Sequence, residues 1–429
     1  MHTPNPTKSD YSHLLVWFGQ FVGHDLTLVA ATIYGDGKEK HCPCLSKDPD
    51  CWSIPIPYED YYNRDQKCFV FTRSAPALKY WDCYMGAREQ LNLLTAWLDL
   101  SQLYGNTEKK GEDLRAYKAG LLKSSQSAYN SREHLPKRGG IESCLGLKRR
   151  EKCYKSGDSR AEDNGFLLSM HTVWLREHNR IAKKLGYMNP DWDDEMIFQE
   201  ARQITIAEYQ NVLYGEWLPL IVGESVAKQF DLLPLKYGYF MGYDDKAFPN
   251  VYNEWAVAAY RFGHTLIQHF HKRADYDYYF YSNRTLDYFM FNQELPEYGG
   301  GLDSLARSAL ADWSYYPTPQ VNHVLNNYLF DGLFWETESK RFSLPALNIQ
   351  RGRDHGVSPY VYYRELCGVG KAETFEDLTN MPPYVLAQLK KVYADVKDID
   401  LWTGLVSEYH LNDGVVGPTA ACKCFFYFL

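Results

Sequence analysis

The sequence has few of the features that mark membrane or nucleic-acid-binding proteins. Its most apolar early stretch, residues 13–34, is interrupted by Gln20, His24 and Asp25 and is too polar to span a bilayer. Basic residues are not in excess, and the net charge of −8 gives no electrostatic case for binding nucleic acid or an anionic membrane. Strand-like alternation of apolar and polar residues is also scarce. These absences favour a globular, mainly helical protein.

The N-terminus lacks the basic start and apolar stretch of a secretory signal, so either the signal lies upstream of this chain or there is none. The close sets among the ten cysteines are Cys42, Cys44, Cys51 and Cys68, followed by Cys144 and Cys153. This usage fits disulfides in an oxidising compartment better than a zinc site. The sequon Asn283-Arg284-Thr285 agrees with a secreted glycoprotein, although such triplets also arise by chance. We expect an extracellular protein.

Apolar residues recur at helical spacing in many segments, which predicts one large helical domain over residues 1–429 with little β structure. The clearest helix is predicted over 166–186, with Gly186 as its C-cap. Its apolar stripe consists of Leu167, Met170, Trp174, His178, Ile181 and Leu185. A second helix is predicted over 253–272, with Val257, Tyr260, His264 and Ile267 on a common face. The polar stretch 106–159 is predicted to be a surface excursion.

Two histidines 240 positions apart, His24 and His264, suggest a buried iron porphyrin between two helices. Gln20 lies one turn before His24, so both side chains project from one helix face. A neutral imidazole there can take a proton from hydrogen peroxide and return it to the departing oxygen. Arg160 is the candidate for stabilising the negative charge on that oxygen. An isolated histidine is more often a hydrogen-bonded core residue, and an isolated arginine usually lies at the surface.

On the opposite side, His264 would bind iron through one ring nitrogen while the other donates a hydrogen bond to an amide. The candidate amide is Asn348 in the run LNIQRGRDHG. Arg261, one turn before His264, and Arg351 are candidates for pairing with the porphyrin carboxylates. Each arginine considered alone is more simply explained as a member of a surface ion pair. The joint occurrence of all these residues argues against chance.

A third candidate site lies in the run LTAWLDLSQLYG, residues 94–105. Its hard oxygen donors suit calcium, and Asp25 next to His24 could add a carboxylate. The candidate ligands are Asp25, Thr95, Trp97 through its carbonyl, Asp99 and Ser101. By itself the pattern is weak, since a hydroxyl-rich turn has the same composition.

Taken in order, six motifs resemble those of the animal-type haem peroxidases, a family that includes peroxinectin-like and peroxidasin-like proteins. These motifs are GQFVGHDLT, LTAWLDLSQLYG, SGDSR, MHTVWLREHNRIA, YRFGHTLIQ and LNIQRGRDHG. The resemblance implies a haem b cofactor, bound calcium and reduction of hydrogen peroxide through a ferryl intermediate. It makes His24, Arg160 and Gln20 distal residues, His264 the proximal ligand, Asn348 its partner and the third site the calcium site. It also implies the disulfides Cys51–Cys68, Cys144–Cys153 and Cys367–Cys422.

The chain departs from the family pattern in three places. Gly23 stands where many members have an aspartate that forms an ester with the haem, and Asp163 stands where a second, glutamate ester is usual. The haem is therefore expected to be attached through one bond or none. The third departure is the C-terminal run, residues 416–429, which stops where the family normally continues through further helices. Together with the missing signal, it suggests a domain that is incomplete at both ends.

Three functions remain open from the sequence. The first is a secreted peroxidase that uses hydrogen peroxide to oxidise phenols, tyrosyl side chains, halides or another small reducing donor. The second is an adhesion protein with little turnover and an extracellular-matrix or cell-surface partner. The third is a haem dioxygenase that acts on a fatty acid, which requires a long apolar channel and a tyrosine near the haem edge.

Overall fold

The structure is a computed structural model that describes residues 8–35, 39–77, 87–127, 131–138, 153–246, 250–292, 294–297, 300–331 and 340–428. Helices dominate it, which confirms the predicted mainly helical fold. The α-helices are α1 Leu14–Leu26, α2 Ser101–Tyr104, α3 Glu108–Leu114, α4 Gly165–Met188, α5 Asp194–Val212, α6 Leu218–Val222, α7 Glu224–Gln229, α8 Asn253–Val257, α9 Gly301–Ala311, α10 His323–Asn327, α11 Leu344–Asp354, α12 Tyr360–Leu366, α13 Pro383–Val392, α14 Leu401–Leu405 and α15 Pro418–Phe428.

Shorter helical turns and strands connect these helices. A π-helical turn spans Leu213–Trp217, and 3₁₀ turns span Ala259–Thr265, Leu286–Tyr288, Leu295–Glu297, Phe375–Asp377 and Val396–Asp398. The strands are β1 Lys8–Ser12, β2 Ile54–Pro55, β3 Cys68–Phe69, β4 Pro76–Ala77, β5 Glu89–Gln90, β6 Ser125–Gln126, β7 Glu133–His134, β8 Phe270–Ala274, β9 Phe280–Thr285 and β10 Trp313–Tyr315. In the described residues they form antiparallel pairs, β1 with β10 and each other strand with its neighbour in sequence.

Helices α1 and α4 pack together at the centre of the core. Trp17 of α1 stacks on Phe166 of α4 with ring centroids 4.8 Å apart, and the fully buried Phe21 stacks on Trp174 of α4. The predicted stripe of α4 faces the core, where Leu167 and His178 are fully buried. The predicted end of this helix was wrong, because it continues past Gly186 to Met188. Packing against α5 supports the additional turn.

The helix predicted over 253–272 was wrong. Helix α8 ends at Val257, a 3₁₀ turn carries His264, and the chain then enters strand β8. At Ala258 the backbone leaves the helical region, with φ −133° and ψ −67°, and this ends α8. From residue 270 the chain pairs with β9 instead, with His271 opposite Arg284, so hairpin pairing replaces the local helical periodicity there.

The disulfide predictions had mixed outcomes. The bond Cys367–Cys422 is present, but Cys51 bonds Cys42 and Cys68 bonds Cys44, so the predicted Cys51–Cys68 bond was wrong. Strands β2 and β3 belong to an antiparallel ribbon in which Cys51 lies opposite Thr72 and Cys68 lies opposite Pro55. Cys51 and Cys68 are therefore displaced by four residues along the ribbon, or about 13 Å, which is too far for a disulfide. Cys144 lies outside the described residues, and Cys153 is disulfide-bonded.

None of the described helices is both long enough, at eighteen residues or more, and apolar enough to cross a membrane.

Candidate active site: a cavity between two histidines

A cavity of about 740 Å³ lies between α1, the start of α4, the Ala259–Thr265 turn and α11. Most of its wall is apolar, contributed by residues such as Leu15, Ile267 and Leu347. The predicted site residues that line it are Gln20, His24, Arg160, Asp163, Arg261, His264 and Arg351. The fold therefore brings residues from distant parts of the sequence to one chamber of the size that binds organic cofactors.

On one side of the cavity, Asp158 holds Arg160 in place. The Asp158 carboxylate accepts hydrogen bonds from Nε and Nη2 of Arg160 at 2.9 and 2.7 Å, and from its backbone nitrogen at 2.8 Å. Nδ1 of His24 lies 3.9 Å from the same carboxylate. The guanidinium is thus fixed beside the imidazole by a buried counter-charge.

Asp158 was not identified from the sequence. It lies two residues before Arg160 in the SGDSR motif, but an aspartate there could equally have capped a turn. Burial raises the pKa of Asp158, but the adjacent Arg160 outweighs this effect and holds the pKa well below its usual value. Burial, reinforced by Arg160, lowers the pKa of His24 well below 6.5. The imidazole is therefore neutral at physiological pH, as proton acceptance requires.

Gln20 and Asn164 connect the first helix to the start of α4. The Asn164 side-chain nitrogen donates to Oε1 of Gln20 at 3.0 Å, while its oxygen caps α4 by accepting from the Leu167 backbone. Asp163, next to this cap, also lines the cavity, and burial raises its pKa to about 7.

A second group of residues is held together by Asn348, which lies between His264 and Arg261. Its Nδ2 is 3.0 Å from Nδ1 of His264, and its Oδ1 accepts a hydrogen bond from Nη1 of Arg261 at 3.0 Å. Asn348 is completely buried, so its contacts fix the orientation of the imidazole. Burial lowers the pKa of His264 to about 3, which leaves the ring neutral and able to bind a metal.

The arginines give the cavity a positive character. Burial, together with the nearby Arg351 and Arg160, lowers the pKa of Arg261 to about 9. Arg351 pairs with Asp354 at 3.1 Å, whereas the hydrogen bonds of Arg261 within the described residues go to neutral oxygens. A cofactor with carboxylate groups would supply the missing negative charge.

Gly23 and Tyr260 contact each other at the cavity wall. A Cβ atom at Gly23 would lie 2.8 Å from Cε1 of Tyr260, so the ring occupies the space of any side chain at this position. The Tyr260 hydroxyl is held by donating to the Gly19 carbonyl at 2.8 Å. The position where the family has an ester-forming aspartate is therefore filled by an aromatic ring.

Some of the predicted calcium ligands also come together. Both the backbone and the hydroxyl of Ser101 donate to Oδ1 of Asp25, at 2.7 and 2.8 Å. Burial raises the pKa of Asp25 to about 8, and the nearby negative charge of Asp99 contributes to this rise. A cation beside these two carboxylates would offset their mutual repulsion. Thr95 and Trp97 are exposed, and no cluster of three acidic, histidine or cysteine ligands occurs among the described residues.

The segment 94–105 contacts the SGDSR motif directly. The Asp158 backbone and the Ser156 hydroxyl both donate to the Gln102 carbonyl, at 2.9 Å each. The Gln102 side chain in turn donates to the Phe21 carbonyl of α1. Residues that could hold calcium are therefore linked, through α2, to the residues that place Arg160 beside His24.

Comparison with known proteins agrees with this arrangement. Residues 1–426 match the family model described as animal haem peroxidase. This chain belongs to the animal haem peroxidase family. The family is named for a haem cofactor, and the cavity lined by His24 and His264 is where such a cofactor would fit.

The chain is also similar in sequence or in fold to individual proteins. The chain is 35% identical over 435 residues to the human peroxidasin homolog, covering 96% of this chain and 28% of that protein. Peroxidase A from Dictyostelium discoideum has a TM-score of 0.83 and 26% identity, covering all of this chain and 79% of that one. The fatty acid alpha-dioxygenase of Oryza sativa has a TM-score of 0.73 at 19% identity, covering 100% and 69%, which shows a shared fold. The chain spans less than a third of the human relative's length.

Proposed function

We propose that the domain formed by residues 1–429 is a haem peroxidase that reduces hydrogen peroxide and oxidises phenolic, tyrosyl or halide donors. The observation that carries the proposal is one cavity whose lining includes His24, Arg160 and His264. When bound there, haem b supplies an iron that passes electrons from the donor to peroxide. The neutral histidines and the uncompensated charge of Arg261 support the fit of this anionic cofactor.

The distal residues would handle protons and charge. His24, kept neutral by burial, would accept a proton from one oxygen of hydrogen peroxide and return it to the other, departing oxygen. Arg160 stabilises the negative charge on that departing oxygen, because Asp158 holds its guanidinium in advance of the reaction. Gln20, held by Asn164, would order water or peroxide at the same side of the cavity.

The proximal residues would hold the cofactor. His264 would coordinate iron through Nε2, while Asn348 fixes the ring at Nδ1. Arg261 and Arg351 would pair with the propionate carboxylates. Gly23 cannot form an ester, so Asp163 is left as the one predicted attachment position, and the haem is held through one bond or none.

Calcium would bind between α1 and the segment that leads into α2. Asp25, Asp99 and Ser101 supply oxygen atoms that already converge there, and the exposed Thr95 and Trp97 complete the proposed ligand set. The cation would hold α1 against the SGDSR segment and so stabilise the position of His24 relative to Arg160.

The protein is proposed to act outside the cell as a glycoprotein. Disulfides are formed by Cys42, Cys44, Cys51, Cys68, Cys367 and Cys422, as expected in an oxidising compartment. Asn283 of the sequon lies exposed on β9, where a glycan could be attached. Besides peroxide and its donor, an extracellular-matrix or cell-surface partner is proposed.

The decisive experiment is the optical spectrum of the haem-loaded protein before and after one equivalent of hydrogen peroxide. We expect the Soret band to shift and to return when a phenol is added. His264→Ala should abolish stable haem binding, and normal haem content in that variant would overturn the axial assignment. If haem binds but peroxide changes nothing, the adhesion or dioxygenase functions replace the proposed one.

A further inference from the structure

An exposed tyrosine-rich segment lies between α7 and α8. Residues 235–245 contain Tyr237, Tyr239 and Tyr243, whose side chains are between 80 and 92% exposed. The intervening Phe240 and Met241 are also strongly exposed. Within the described part of the chain, these three phenol rings make no hydrogen bond or ring contact. Exposed aromatic side chains at this density commonly mark interaction surfaces.

The charges flanking this tyrosine segment suit a second copy of the chain. Lys236 lies at its beginning, and Asp244 and Asp245 lie at its end. Two copies aligned antiparallel would place each lysine opposite the aspartates of the other copy and the aromatic residues against each other. A twofold interface requires such a self-complementary surface.

We propose that the phenols of the tyrosine segment are substrates of this protein's own peroxidase site and become cross-linked between two copies. The inference rests on the proposed function. The described cavity lining includes none of residues 235–245, so a small phenol oxidised at the site carries the oxidising equivalents to the segment. Each oxidised small phenol takes one hydrogen atom from a tyrosine and is thereby regenerated.

The overall reaction balances without another reagent. Hydrogen peroxide receives one electron and one proton from each of two tyrosines and is reduced to two molecules of water. The two tyrosyl radicals join through ring carbons adjacent to the hydroxyl-bearing carbon. The hydrogen atoms displaced from those carbons return to the phenol oxygens, which gives one dityrosine bond.

The test uses the haem-loaded protein, hydrogen peroxide and a catalytic amount of N-acetyltyrosinamide. We expect covalent dimer on a denaturing gel, dityrosine fluorescence, and cross-linked peptides that map to residues 235–245. Substitution Y237F/Y239F/Y243F keeps the apolar surface but removes the phenols, and should lose most of the dimer. Y58F/Y187F/Y276F is the matched control, since these tyrosines are 82–94% exposed but lie far apart in sequence. Equal loss in both variants would overturn the proposal.

The contribution of a second copy can be tested through charge. Lys236→Glu should lower the yield of dimer, and adding Asp244→Lys and Asp245→Lys to the same chain should restore it. Failure of this exchange to restore the dimer would overturn the antiparallel pairing. Cross-links that map instead to tyrosines of the β8–β9 hairpin would overturn the assignment of the segment.

A parallel reaction with an added, unrelated peroxidase separates this proposal from the proposed function. If the added enzyme links the segment but the protein's own site neither links it nor oxidises the small phenol, both proposals fail. If the protein oxidises the small phenol and only the added enzyme links the segment, self-modification alone is overturned. If the protein oxidises the small phenol but neither reaction links the segment, only the cross-linking proposal fails.

Discussion

Asn348 presents its amide nitrogen, rather than its oxygen, to Nδ1 of His264 at 3.0 Å. Its oxygen is occupied by Arg261. In this orientation the imidazole proton lies on Nε2, the nitrogen that must be free to bind iron. If the Asn348 amide rotated by half a turn, its oxygen could accept a hydrogen bond from a protonated Nδ1 of His264. The Asn348 nitrogen would then face the Arg261 guanidinium, which is also a donor. Pairing of Arg261 with a propionate would remove that conflict. If haem binds as proposed, pairing of Arg261 with a propionate and binding of iron by His264 would therefore be coupled through Asn348.

This relationship predicts the effect of Asn348→Leu. Because the leucine side chain cannot accept a hydrogen bond from His264, haem affinity should fall roughly 10–100-fold, the usual cost of losing such a partner. Asn348→Asp should retain haem, since a carboxylate accepts from both neighbours. Spectroscopic titration with haem measures the haem affinity of both variants. Gln350→Ala on the outer face of α11 is the control, and an unchanged affinity in Asn348→Leu would contradict the coupling.

His24→Ala should separate cofactor binding from reaction with peroxide. The variant should retain haem because the proposed iron ligand, His264, and its contact with Asn348 are unchanged. Its reaction with peroxide should slow by roughly 10²–10⁴-fold, the contribution of a positioned general base. Stopped-flow measurement of the Soret band determines this rate. An unchanged rate at normal haem content would place the proton-accepting group elsewhere.

Asp158→Asn tests the anchoring of Arg160. Loss of a charge-assisted hydrogen bond costs about 1.5–3 kcal/mol. If this loss raises the activation barrier for reaction with peroxide by the same amount, the reaction should slow by roughly 10–100-fold. Asp303→Asn is the matched control, because Asp303 pairs with Arg132 and Arg176 away from the cavity. Comparable slowing in the two variants would show that the effect is general destabilisation.

Calcium binding predicts a dependence of stability on chelator. At a calcium concentration 100 times its Kd, binding stabilises the fold by about 2.7 kcal/mol, and EGTA should remove this contribution. Asp25→Asn should abolish the response by removing a carboxylate, whereas Asp113→Asn at the exposed surface should retain it. Thermal melts with and without calcium measure the effect. A wild-type protein that binds no calcium in a direct calorimetric titration would contradict the site.

Glu408 predicts a loss of stability as the pH rises. Burial raises the pKa of this carboxyl from 4.5 to about 7. Because the folded state holds the proton more tightly, the free energy of unfolding should fall by about 3 kcal/mol between pH 4.5 and 7. The measurement is the pH dependence of the difference between wild type and Glu408→Gln in urea unfolding. A difference in unfolding free energy that does not change with pH would contradict the raised pKa of Glu408. The control is Glu365→Gln, at an exposed position.

The sequence predicted the helices and the main contacts of the cavity where the signal was local. Gln20 and His24 follow from helical spacing, and the motifs containing His264 and Asn348 indicated their pairing. Long-range contacts were not accessible in this way. The non-helical backbone at Ala258 and the β8–β9 pairing replaced the predicted helix, and the spacing of cysteines does not determine which of them bond. Asp158 was missed because its role depends on folding that brings His24 beside it.

The contact between Gly23 and Tyr260 also constrains how this site could evolve. A change from glycine to aspartate at position 23 alone would force the new side chain against the Tyr260 ring. Loss of the ring alone would open a void and release its hydrogen bond to Gly19. Either mutation by itself is therefore disadvantageous. An ester at position 23 would accordingly require changes at both residues, which makes the two positions epistatic.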